Sequence, residues 1–125
     1  MTKEELEIAY QSITSTIRKN VKAYETLSKK DKPRVSQMKM IQENIDNFIV
    51  IKKLIEQRLQ DAVSYQFTKE ELLKVLSALP GYHNQIERVL VKFKEGTPQH
   101  TLAIRRIHSY RIGEELIQEE MAKGQ

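Results

Sequence analysis

The chain has 125 residues, with 21 Lys and Arg against 17 Asp and Glu, a formal net charge of +4, and no cysteine. At 39% hydrophobic it is too apolar for a disordered segment, and it is long enough for one domain with a buried core. The lack of cysteine excludes disulfides and thiolate metal sites and agrees with a reducing compartment, so a cytoplasmic location is expected. MTKEELEIAY has no basic-then-apolar order of a signal peptide, and FIVI at 48–51 is far too short to span a bilayer. No membrane contact is expected.

TKEEL at 2–6 opens a first helix, with Thr2 placed to cap the Glu5 amide and Glu5 to reach back. Leu6, Tyr10, Ile13, Ile17, Asn20, Tyr24 and Leu27 then step by four and three, a narrow apolar seam. SKKDKP at 28–33 ends it. A second helix is expected from Val35 to Val63, carrying Met38, Ile41, Ile45, Phe48, Ile55 and Leu59 in phase. Ile49, Val50, Ile51 and Leu54 widen its apolar surface, which suits a central helix or one that self-associates through FIVIKKLI into a homo-oligomer.

TKEEL returns at 68–72 and starts a third helix whose seam is Leu72, Leu76, Leu79, His83, Ile86, Leu90 and Phe93. That phase survives Pro80-Gly81, so the helix is expected to kink there rather than break. Gly96 suits a left-handed turn, and Thr97-Pro98 suit the cap and first position of a fourth helix bearing Ala103, Ile107, Tyr110, Leu116, Ile117 and Met121. The first three helices are about 26–29 residues, roughly 40 Å long. Short connections force neighbours antiparallel. The expected fold is all-α, a single-domain (1–125) up-down-up-down four-helix bundle with its third helix kinked at Pro80-Gly81.

Counted from a shared end, Asn20, His83 and Tyr110 fall at similar depths, roughly 12–18 Å in. They are expected to form a buried polar layer, with Asn44 or Asn47 as further members, that fixes register. A small-molecule or enzymatic site at the kink, lined by Tyr82, His83 and Asn84, is an alternative use of the same stretch.

Catalytic and metal constellations are weak. No histidine has a glutamate three residues before it, and His100 and His108 lie about 12 Å apart along a helix, too far to hold one ion. QHTLAI at 99–104 resembles the His-x-Leu segment of histidine-phosphotransfer bundles. The likeness ends there: Ala103 and Ile104 stand where that family has Lys-Gly, and His100 is at a helix start. No metal, cofactor or catalytic residue is assigned, and a non-enzymatic protein is expected.

Charge is unevenly spread. Residues 18–34 hold seven basic residues against Glu25 and Asp31, net +5, and residues 82–112 hold six against Glu87 and Glu95, net +4. In this topology both segments reach the same end. The expected contact residues are Arg18, Lys22, Lys29, Lys30 and Arg34 from the first hairpin. From the second they are Lys92, Lys94, Arg105, Arg106 and Arg111. Acids at helix starts and bases at helix ends complement the helix dipole, but Arg34, Arg105 and Arg106 sit early in their helices, against it. The expected function is that of a regulator or adaptor binding a protein with an acidic surface. The alternative is nucleic-acid binding through phosphate contacts at the same pole.

Overall fold

A computed structural model describes residues 1–124. They form α1 (Lys3–Ser28), α2 (Val35–Leu59), α3 (Lys69–Leu90) and α4 (Pro98–Lys123), with no strand among them. The fold is the expected four-helix bundle. α1 packs on α2, α3 on α4, and the two hairpins join through α1–α4 and α2–α3. No helix of the structure is long and apolar enough to cross a membrane.

The helix starts follow their capping residues. Thr2 Oγ1 accepts from the Glu5 amide at 3.1 Å, Thr68 Oγ1 from Glu71 at 3.0 Å and Thr97 Oγ1 from His100 at 3.3 Å. In the two TKEEL capping boxes only the threonine half forms. Gly96 takes φ +84°, the left-handed turn its position requires. α2 stops at Leu59 rather than Val63, because Gln60 turns extended and the segment after it docks back on the helix. The Tyr65 amide donates to Gln57 Oε1 at 3.1 Å, and the Tyr65 hydroxyl donates to Glu56.

α3 runs as one helix through Pro80 and Gly81. A Cβ added at Gly81 meets nothing within 4 Å, and its φ is not positive. Gly81→Ala is therefore expected to stabilise the protein by about 0.5–1 kcal/mol, read as a higher urea midpoint at unchanged slope. A lower midpoint would mean that the backbone after Pro80 departs from a helix.

The main core draws on all four helices, with Ile13, Ile51, Ile55, Val75, Leu79 and Ile117 almost fully enclosed. The diagonals of the bundle are unequal. α1 and α3 have no Cα pair within 8 Å, whereas α2 and α4 meet where Gly113 faces Ile51. A Cβ at Gly113 would lie 3.1 Å from Ile51 Cδ1 and Cγ2, so glycine lets the two backbones close in. Ser109, one turn earlier, is also fully buried and donates to the Arg106 carbonyl at 2.6 Å. Towards the 29–34 turn a second cluster of Leu27, Ile41 and Ile45 with Tyr24 and Met38 belongs to α1 and α2 alone. Near that turn α1 and α2 thus close on each other, while Leu90, Phe93 and Ala103 of the other hairpin belong with the main core.

Candidate functional site

The 29–34 and 91–97 connections lie at one end of the bundle. The antiparallel pairing that puts them there shows in side-chain contacts along its length. Tyr10 donates to Glu56 Oε1 at 3.2 Å across α1 and α2, and the His83 ring meets Tyr110 edge-on at 5.6 Å across α3 and α4. Lys29, Lys30, Arg34, Lys92 and Lys94 are exposed in these turns, and Arg18 and Lys22 are exposed on the adjoining half of α1.

Helix-dipole complementation explains little of this charge. α1 has no base in its last turn, and α2 and α4 have no acid in their first. Internal pairing explains none of it. The ion pairs among the described residues are Lys52–Glu56 at 4.0 Å, Arg58–Glu119 at 2.7 Å and Lys123–Glu120 at 3.4 Å, all away from the turn end. Among the described residues, no carboxylate oxygen lies within 4.0 Å of any of the ten expected contact residues.

Three of those ten stand elsewhere than the tip. Arg105 and Arg111 lie on the flank of α4, where with His108 and Glu115 they line a groove shared with Met1 and with Glu5 and Ile8 of α1. Arg111 is thirteen residues into a 26-residue helix, about 20 Å from its start, so basic and acidic side chains mix along this flank. Arg106 turns inward. It is half-buried and lines a cleft of about 510 Å³ between the hairpins, with Asn20, Asn44, Tyr82 and Tyr110.

Large apolar side chains are exposed among the turn-end cations, which periodicity does not reveal. Val91 is 83% exposed and Val35 73%, and Met40 and Leu102 are also largely exposed. Val91 falls between the seam positions Leu90 and Phe93, and Val35 precedes the first seam residue of α2; these off-seam placements were the available signal.

The expected polar layer takes a different form. Asn20 donates within its own helix to the Thr16 carbonyl at 2.8 Å. Here α2 and α3 are joined through Tyr82, whose hydroxyl accepts from Asn47 Nδ2 at 3.1 Å and donates to Asn44 Oδ1 at 2.7 Å. Tyr82 also joins Phe48 and Tyr110 in an aromatic cluster, with centroids 4.7–6.0 Å apart. Of the stretch after Pro80, Gly81 and Tyr82 line the cleft between the hairpins, whereas Asn84 is exposed and His83 is half-buried against Tyr110. Among the described residues no group of three His, Cys, Asp or Glu could hold a metal ion.

No family model, curated protein or solved structure matches this chain. The site is therefore read from its own chemistry.

Burial pushes the Tyr110 phenol up from its ordinary 10.0 to about 12, with the Arg106 cation opposing the shift. The folded state thus keeps a proton that the unfolded phenol releases first. The stabilisation is fully present below pH 10 and is lost as pH rises through about 12, on the order of 2–3 kcal/mol in all. Tyr110→Phe is expected to flatten this alkaline loss, measured as unfolding free energy between pH 9 and 11.5. An unchanged slope would assign the loss to other groups.

Proposed function

We propose that this protein is a non-enzymatic regulator or adaptor, acting in the cytoplasm, that binds a partner protein through the end of the bundle carrying its 29–34 and 91–97 turns. The supporting observation is the surface composition there: lysines and arginines without internal carboxylate partners, interspersed with exposed Val35, Met40, Val91 and Leu102. Apolar side chains supply desolvation energy at a protein interface, and the surrounding cations select a partner with an acidic surface and speed its approach.

Nucleic acid is the second reading, favoured by the same unpaired cations. A phosphate backbone has no use for the exposed valines, and Phe93, the aromatic of the two turns, packs against the core. Self-association through α2 has less to draw on: Phe48, Ile51, Leu54 and Ile55 are buried within the bundle, which accounts for that helix's broad apolar surface.

Capture from lysate at low and high salt, with and without nuclease, separates the two readings. A protein retained after nuclease and at high salt, and lost when Val35 and Val91 are both changed to serine, is the expected result. Capture that disappears with nuclease and falls steeply with salt would replace this reading with phosphate binding.

A further inference from the structure

The cleft between the hairpins has its own chemistry, independent of the turn-end surface. All four helices contribute to it, and its walls are apolar: Ile41 and Phe48 from α2, Ile86 and Val89 from α3. Its polar lining is neutral apart from one residue, Arg106, and no Asp or Glu lines it. Among the described residues the Arg106 guanidinium has no carboxylate within 4.0 Å, and its enclosed Nε has no hydrogen-bond acceptor. An arginine among neutral groups keeps its charge, so the cleft presents one cation that the fold does not balance.

We propose that this cleft binds a small amphipathic carboxylate, with the carboxylate on Arg106 and an apolar body against Ile41, Phe48, Ile86 and Val89. The volume of about 510 Å³ falls within the roughly 300–1,000 Å³ of small-ligand sites. It is too small for a partner helix, whose diameter with side chains is about 10–12 Å. The charge selects the head group. One guanidinium, supported only by neutral groups such as Asn20, Asn44 and Gln85, balances a single negative charge. A phosphate, nearly dianionic, ordinarily requires a second cation or a helix N-terminus. Arg106 lies in the third turn of α4 and offers the cleft no free backbone amides.

The test is a nuclear magnetic resonance titration of the intact ¹⁵N-labelled protein with sodium octanoate, and in parallel with octan-1-ol as an uncharged analogue. Saturable shifts at the Gly81, Gln85 and Ile86 amides are expected, with octanoate binding at least tenfold tighter than octanol. Arg106→Gln should bring octanoate down to the octanol level, while Lys74→Gln, on an exposed face of α3 away from the cleft, should leave it unchanged. Equal affinities for octanoate and octanol in the unmodified protein would overturn the proposal, whatever the fate of the variants. So would shifts that never saturate, or a Lys74→Gln loss as large as that of Arg106→Gln. None of these outcomes touches the partner-binding reading, since no partner is present.

Discussion

Ile51→Ala is expected to lower the unfolding free energy by about 2–5 kcal/mol, with a fall in melting temperature on the order of 10 °C or more. Ile51 is 0% exposed and lies against Gly113, where α2 and α4 approach across the bundle. Its truncation removes dispersion contacts in a site closed by both backbones, which cannot readily collapse. The same contact predicts a reversal of sign at Gly113. In the native background, alanine at Gly113 gains about 1 kcal/mol of helix propensity. Its Cβ would press on three Ile51 atoms at 3.1–3.2 Å. Isoleucine is stiff at χ1 and enclosed here, so overpacking of about 1–3 kcal/mol prevails and Gly113→Ala destabilises. Combined with Ile51→Ala, the obstruction is gone and Gly113→Ala should become neutral or stabilising. Denaturant unfolding of the four proteins closes the cycle, with a coupling of about 1 kcal/mol or more. Additive effects would show that the helices do not meet through this pair.

Lys29→Glu, Lys30→Glu, Lys92→Glu and Lys94→Glu together are expected to weaken partner binding on the order of 100-fold. Each site is exposed and without an ion pair, so reversal should leave the melting temperature within a few degrees of the parent. Against an acidic partner, each reversal turns an attraction into a repulsion, and like-charge juxtaposition across an interface costs several kcal/mol in sum. A tenfold loss corresponds to about 1.4 kcal/mol, so even partial engagement of the four lysines is measurable. The comparison is Lys3→Glu, Lys53→Glu, Lys69→Glu and Lys74→Glu together, the same change of charge at exposed, unpaired sites away from the turns. Isothermal titration should show the first variant impaired and the second close to parent. Equal losses would reduce the effect to net charge.

Much of the bundle was legible in the sequence because its determinants are local. Thr2, Thr68 and Thr97 mark helix starts whose caps form, Gly96 marks a left-handed turn, and the four-three steps mark buried seams. The end of α2 was not legible. Ala62 and Val63 prolong the apolar run, whereas the chain is turned away by Tyr65 docking on Glu56 and Gln57, a contact between separate segments. The buried face of α4 was only half visible. Ser109 and Gly113 carry almost no hydropathy signal, and their burial follows from the nearness of α2, which no single-helix pattern encodes.

The candidate site divides in the same way. The lysines of the turns are exposed at one end because short connections fix where turns go. Arg106, adjacent to Arg105 in sequence, is carried by the 100° step of a helix from the outer flank into the cleft, and its surroundings depend on how the hairpins diverge. The exposure of Val35 and Val91 likewise depends on which surfaces the neighbouring helices leave uncovered.

The most direct measurement of the central claim is hydrogen–deuterium exchange of the protein with and without its captured partner. Slower exchange confined to peptides covering 29–36 and 88–97 is the predicted result, with 60–68 and 115–124 unchanged. Slowing at 60–68 and 115–124, with the two turns as free as before, would place the partner at the opposite end and contradict the account.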